Sequence, residues 1–281
     1  MILVADSGGS KTDWRWIHDN GTIGQAHTPG FNPYSHHAED LKHAVEKILL
    51  PQLNGPVHKI YYYGAGVSSA ANAAIVSDVL KVFFANAAIE INWDLLGAAR
   101  ALCGHEPGIA CILGTGSNSC HYDGHNIIDN MPNLGWILGD EGSGASLGKR
   151  LVIDYIRHRM PATLAAQFHA RFSLDREGIL ARVYQGERPA TYLGSFAKFI
   201  FQHLKEPYCY QLVYSGFEDF YKNNVMHYPG YASLKVHFTG SVAFYFSDVL
   251  RQVATDMGIT VKNILESPIA GLTLYHQQDL N

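Results

Sequence analysis

The sequence predicts an α/β protein built from two copies of one βββαβαβα unit. Three observations carry this. Three short strand-like segments come before the first helix-like one, the same opening returns after residue 107, and in each opening a glycine-rich turn separates the first two strands.

Residues 2–5 form a short apolar run, and the turn Asp6-Ser7-Gly8-Gly9-Ser10 divides it from residues 12–18, where apolar and polar residues alternate. After Asp19-Asn20-Gly21, residues 22–27 give a third strand, completing an antiparallel meander. A helix over 38–50, a strand over 59–63, a helix over about 69–86 and a strand over 88–93 follow, with a third helix after Asp94. The pattern then restarts. Residues 108–113 are an apolar strand, 117–122 follow a second glycine turn, 126–129 make a brief third strand, and a helix begins near Gly142. Residues 161–229 read mainly as amphipathic helix, 235–238 as a strand, the stretch from Gly240 to about Met257 as a helix, and 267–276 as a closing helix. The resulting domains are 1–106 with 267–281, and 107–266 with a helical insertion.

With 281 residues and 47% hydrophobic content, the chain is long enough for two lobes, each with its own core. A net charge of −4, with 21 Lys and Arg scattered along the chain, leaves no basic stripe for nucleic acid. The opening apolar run lacks a basic flank or cleavage site, and no stretch reaches the roughly 20 apolar residues of a membrane span. A cytoplasmic protein with no membrane partner is expected. Four cysteines in no CxxC pair read as reduced, buried thiols. Among 15 histidines the densest cluster is Cys120, His121 and His125, whose spacing matches no zinc pattern. His36 and His37 read as surface residues, and Tyr61 to Tyr63 as sheet packing.

Two glycine turns stand out. In Asp6-Ser7-Gly8-Gly9-Ser10-Lys11-Thr12-Asp13, adjacent glycines let backbone amides approach phosphate oxygens; the alternative is a plain hairpin turn. It is not a Walker loop, because Ser10 stands between glycine and lysine and a strand follows. Gly114-Thr115-Gly116-Ser117-Asn118 is its counterpart, lacking the third glycine and following helix of a dinucleotide fingerprint. One such turn per repeat could grip a polyphosphate from two sides. Asp94 lies at a strand's carboxyl end, where α/β sites open, though a helix N-cap would also place an aspartate there. Gly135-Trp136-Ile137-Leu138-Gly139-Asp140-Glu141-Gly142-Ser143 sets an aromatic and two acids among glycines before a helix. Phe238-Thr239-Gly240-Ser241 closes a strand and opens a helix, so it could line a nucleotide pocket or be only a tight turn.

Taken in order, these motifs resemble the BadF/BadG/BcrA/BcrD ATPase family of the acetate-kinase, sugar-kinase, heat-shock and actin superfamily, and in particular its N-acetylglucosamine kinases. The resemblance runs along essentially the whole chain and is most specific at Gly114–Asn118 and at the string from Gly139 to Ser143. It implies two ribonuclease-H-like domains flanking a central cleft, with the last helix returning to the first domain. It implies ATP and Mg2+ as cofactors and phosphorylation of a sugar at its 6-hydroxyl, N-acetylglucosamine first, with N-acetylmuramic acid or glucose as alternatives. By the same resemblance Asp94 is the base, and Asn32, Asp94, Ser117, Asn118, Gly135 and Asp140 bind sugar. Ser7, Gly8, Gly9, Ser10, Lys11, Thr12, Gly114, Thr115 and Gly116 hold phosphate, Gly240 and Ser241 lie at the adenosine, and Asp6 meets magnesium through water. One departure is that Leu134 occupies a position where the family pattern has tryptophan, the local tryptophan being Trp136. Other outcomes in the same broad family are an iron–sulfur ATPase activator of a dehydratase, dimeric through shared cysteines, and a non-catalytic sugar sensor. A homodimer is allowed.

Overall fold

The computed structural model describes residues 1–9 and 11–278. Burial on both faces decides the first strand. In β1 (Ile2–Ser7), Leu3 and Ala5 join one apolar cluster with Trp14 and Trp16 of β2 (Lys11–Ile17). Ile2 and Val4 join another with Tyr61 and Tyr63 of β4 (Lys59–Gly64). A strand covered on both sides needs apolar residues throughout; the edge strand β3 (Ile23–Pro29) alternates instead. With β5 (Ala88–Trp93) these form a sheet of order β3-β2-β1-β4-β5, its first three strands antiparallel and the last two added in parallel.

The second sheet repeats this plan. β6 (Gly108–Leu113), β7 (Ser117–Tyr122) and β8 (Ile127–Asn130) are antiparallel, and β9 (Val236–Thr239) and β10 (Val261–Leu265) add in parallel, giving the order β10-β9-β6-β7-β8. The first sheet thus has the full βββαβαβα plan expected from the sequence, and the second follows it as far as its last strand, β10. β10 is the element the periodicity missed. Lys262 and Asn263 interrupt its apolar residues, and its pairing with β9 shifts register between Val261 and Ile264, so no two-residue period survives.

Helices α1 (Ala38–Ala44), α2 (Ala70–Phe83) and α3 (Asp94–Cys103) accompany the first sheet. The expected helix over 38–50 is α only to Ala44 and continues as a wider π turn and a 3-10 turn, where Pro51 cannot supply an amide donor. In the second half, α4 (Gly135–Leu138) and α5 (Gly144–Ile156) lead into α6 (Ala162–Phe172), α7 (Arg176–Tyr184), α8 (Pro189–Gly194), α9 (Ala197–Gln202) and α10 (Pro207–Asn223). α11 (Ser241–Tyr245) and α12 (Ser247–Asp256) join β9 to β10. Among the described residues, no helix is long and apolar enough to cross a membrane.

The chain divides into two compact units. Unit 1 takes Met1–Glu106, Gly124–Asn126 and the segment from Ser267 onward, and unit 2 takes Pro107–Asp123 and Ile127–Glu266. The last helix, α13 (Ile269–Gln277), packs on α3 within unit 1. It is fixed by a buried polar clamp. The Tyr63 hydroxyl accepts from Arg100 Nη1 at 2.8 Å, which leaves its proton for His276 Nε2 at 2.7 Å, and the His276 ring stacks on Tyr61. Tyr61, Tyr62 and Tyr63 are all buried, as sheet-packing residues should be.

Tyr63→Phe removes the hydroxyl shared by Arg100 and His276. It should cost about 1–3 kcal/mol and lower the melting temperature by roughly 2–4 °C per kcal/mol in a chain of this size. Thermal denaturation followed by circular dichroism tests this, and an unchanged midpoint would contradict the clamp.

Candidate active site

Parallel pairing in unit 1 sets Ser7 of β1 level with Gly64 of β4, and Gly64 level with Trp93 of β5. The residues leaving these strands therefore gather at one edge of the sheet: Asp6 and the first glycine turn, the loop around Gly66, and Asp94. The turn itself is tight. Gly8 N–H donates to the Lys11 carbonyl at 2.9 Å, and beneath it the Ser7 and Thr12 hydroxyls are 2.8 Å apart and buried. These two hydroxyls brace the hairpin from below, while Gly8, Gly9 and Lys11 lie toward solvent. Ser10 lies outside the described residues.

Three acids cluster near the turn. Asp13 is buried, hydrogen-bonded to His27 Nδ1, paired with Lys11 Nζ at 2.9 Å and reached by Ser267 Oγ at 3.3 Å. Among the described residues, Asp6 meets no such set of donors. Burial, then the charges of Asp94 and Asp13, push it up to about 7, with Lys11 pulling the other way. Asp94 opens α3 and is pushed up to about 6 by burial, partly offset by the Leu95 N–H that its Oδ1 accepts at 2.9 Å. The cap-like hydrogen bond and a half-buried, proton-accepting carboxylate thus coexist in one residue.

Asn32 lies beside this edge, held by its neighbours. Its Oδ1 accepts from Tyr34 N–H at 3.0 Å, and its own N–H donates to His36 Nδ1 at 3.1 Å, so His36 positions a loop rather than merely facing solvent. Gly66, which the sequence reading passed over, adopts φ +78°, and a Cβ there would come within 2.3 Å of Asn32 Oδ1. Its only signal was a Gly-Ala-Gly string just after a strand.

Unit 2 holds the other motifs. Gly114 N–H donates to the Gly116 carbonyl at 3.0 Å, closing the second hairpin. Gly144 and Ala145 N–H, at the start of α5, donate to the Gly114 and Thr115 carbonyls at 2.8 and 3.0 Å. Thr115 is left exposed at the tip. Asp140 takes φ 57°, unusual for a residue with a Cβ, and its Oδ1 accepts from Ser117 N–H at 2.9 Å. Burial raises its pKa, opposed by Ser117 N–H. Asn133, also unforeseen, ties the two segments together: its Nδ2 donates to the Ser117 carbonyl at 2.8 Å and its Oδ1 accepts from Gly135 N–H at 2.8 Å. Asn118 uses Oδ1 on Ser119 N–H at 2.9 Å. Ser117, Asn118, Gly135 and Asp140 therefore share one neighbourhood.

At Gly240, φ is +114° and a Cβ would lie 2.3 Å from the Leu113 carbonyl oxygen, so only glycine lets this turn reach the second hairpin. Beside it opens a cavity of about 520 Å³ lined by α9 and α11, with Gly194 and Ser241 among its walls. Gly194 abuts Thr115, Gly144 and Ala145, so the cavity begins where the hairpin ends. Ser241 at this wall is legible from the sequence, and the α9 wall is not.

No protein-family model matches the chain, nor does any curated protein. Solved structures do. A candidate N-acetylglucosamine kinase from Porphyromonas gingivalis is 40% identical, covering 99% of both chains with a TM-score of 0.94. A second candidate N-acetylglucosamine kinase, from Chromobacterium violaceum, is 20% identical over 98% of both chains at a TM-score of 0.77. A ROK-family glucokinase from Streptomyces griseus, solved with glucose and AMPPNP, is 15% identical over 99% of this chain and 98% of its own at 0.54. The latter two share the fold, that of the two-domain actin-like ATPases. The iron–sulfur alternative finds no support, since all four cysteines are buried and none is displayed for a cluster shared with a second chain.

The raised Asp94 has a consequence for stability. Its proton is held more tightly in the folded chain than in the unfolded one, so below about pH 4 the group is neutral in both states, and stability falls as pH rises toward 6. Asp94→Asn should therefore melt a few degrees above the parent at pH 7.5, reflecting on the order of 2 kcal/mol, with the gap narrowing as pH falls through 6 and closing only below about pH 4. Equal or lower midpoints at pH 7.5 would show that Asp94 carries its charge at no cost.

Proposed function

The chain belongs to the same family as the Porphyromonas gingivalis protein, and on that premise we propose that it is an ATP-dependent sugar kinase, phosphorylating N-acetylglucosamine at the 6-hydroxyl. The observation that carries this is Asp94: a half-buried carboxylate with its pKa at about 6, at the same strand edge as a glycine hairpin. At neutral pH such a group is ionised yet poorly solvated, which suits a base that orients a hydroxyl and takes its proton late.

Phosphoryl transfer asks for positioning and charge neutralisation more than covalent chemistry. In the hairpins at Ser7–Thr12 and Gly114–Gly116, backbone N–H groups other than those of Gly8 and Gly114, which donate within their own turns, would meet phosphate oxygens, with Lys11 and Thr115 exposed beside them. Asp6 fits a cation: it is a half-buried carboxylate pushed up to about 7 by burial and then by two other acids, and a divalent ion would relieve that repulsion. Magnesium there would neutralise charge on the phosphates. Asn32 in unit 1, and Ser117, Asn118, Gly135 and Asp140 in unit 2, would bind the sugar hydroxyls and acetamido group. The cavity beside Ser241 would take the adenosine. The Gly114–Asn118 and Gly139–Ser143 strings favour a place among the BadF/BadG kinases.

Leu134 favours a second acceptor. It is 60% exposed where the family pattern has tryptophan, and a smaller side chain there would crowd a 3-O-substituted sugar such as N-acetylmuramic acid less than tryptophan would.

Asp94→Asn should cut kcat by at least about 100-fold while leaving ADP affinity within about threefold, measured by a coupled ADP-release assay and by calorimetry. Parent-like turnover would refute the base assignment. Gly66→Ala, which drives a methyl group into Asn32 Oδ1, should raise the KM for sugar about tenfold or more, with the KM for ATP unchanged in the same assay.

A further inference from the structure

The cavity of unit 2 also carries information about which base it accepts. Both walls start at the second hairpin and run away from it. α9 follows Gly194, which abuts Thr115, and α11 follows Gly240, which abuts Leu113 and Gly114. Ser195 and Ser241 therefore lie at the phosphate end, and Lys198, Phe201, Gln202 and Tyr245 lie one to two turns farther along, where a base would reach. Phe201 and Tyr245 are 41% and 49% exposed, their rings edge to face at 5.6 Å. Aromatic faces left open at the mouth of a cavity offer stacking, which does not distinguish one purine from another.

Discrimination between bases then falls to the polar groups at that end. Lys198 has donors only. The Gln202 carboxamide oxygen accepts from Arg171 Nη1, which leaves its amino group as the part that can face a ligand. The Tyr245 hydroxyl donates to Glu266 Oε1 at 3.1 Å. Adenine shows N7 as an acceptor and its 6-amino group as a donor on the same edge, whereas guanine shows two acceptors, N7 and O6. Lys198 and the Gln202 amino group can donate to N7 in both bases and to O6 in guanine, while the Tyr245 oxygen, its proton given to Glu266, can accept from the adenine amino group, so the wall excludes neither base.

We propose that this cavity admits purine nucleotides without selecting adenine, so that GTP serves as phosphoryl donor alongside ATP, with Lys198 and Gln202 donating to N7 and O6. This rests on the phosphotransfer reading above and extends it from ATP to purine nucleoside triphosphates as a class. Pyrimidine nucleotides, with a smaller ring and no N7, fall outside it.

The test compares kcat/KM for ATP, GTP and CTP at one saturating sugar, together with calorimetric titration of ADP and GDP into the sugar-free protein. GTP should fall within about tenfold of ATP, and CTP at least about 100-fold below. Lys198→Met, at an exposed position, should lower kcat/KM for GTP about tenfold more than for ATP, because guanine loses the extra acceptor contact. An ATP preference above about 100-fold, or an equal loss for both donors in the variant, overturns the proposal and leaves the kinase standing. If neither ADP nor GDP binds, the phosphotransfer reading fails and the proposal with it.

Discussion

The parallel register β1–β4–β5 is the constraint on which the unit 1 site depends. Ser7, Gly64 and Trp93 are level across the three strands, so the chain leaves all three at the same height, and Asp6, Gly66 and Asp94 come together although they are far apart in sequence. A slip of one residue would turn Leu3 and Ala5 out of one core and Ile2 and Val4 out of the other, which makes the register costly to change. Unit 2 uses the same device. Ile112 pairs with Thr239, bringing Gly240 against Leu113 and Gly114 so that the turn opening α11 meets the hairpin. Neither site needs an unusual fold; each needs neighbouring parallel strands whose carboxyl ends are level.

Burial at these strand ends has an electrostatic price. Asp13 meets it with His27, Lys11 and Ser267 and serves as structure. Asp6 and Asp94 meet it only in part, and both are raised well above the ordinary carboxylate range. That contrast within one cluster separates a satisfied acid from two that are left raised, and perturbation of this kind is what proteins tend to keep where function requires it. Asp140 shows it in backbone form, a left-handed residue held by Ser117 N–H.

Much of this was legible in the sequence because the informative residues are local. Three strands before a helix, repeated, gave the plan of both sheets, and Asp94 was placed by a strand ending directly before it. The Tyr61–Tyr63 run read as sheet packing because consecutive aromatics can serve both faces of a buried strand. What escaped is what depends on distant contacts. β10 lost its period to a register shift, and Asn133 and Gly66 act only through the residues they meet, Ser117 and Asn32. The α9 wall of the cavity lies in a helical stretch whose sequence shows amphipathic helix and nothing of its neighbour α11.

The central claim is phosphoryl transfer to a sugar hydroxyl. It is tested most directly by incubating the protein with ATP, magnesium and N-acetylglucosamine and following phosphorus by nuclear magnetic resonance. The account predicts loss of the γ-phosphate signal and growth of a phosphomonoester coupled to the C6 protons of the sugar. Unchanged ATP, or inorganic phosphate appearing with the sugar intact, would contradict it.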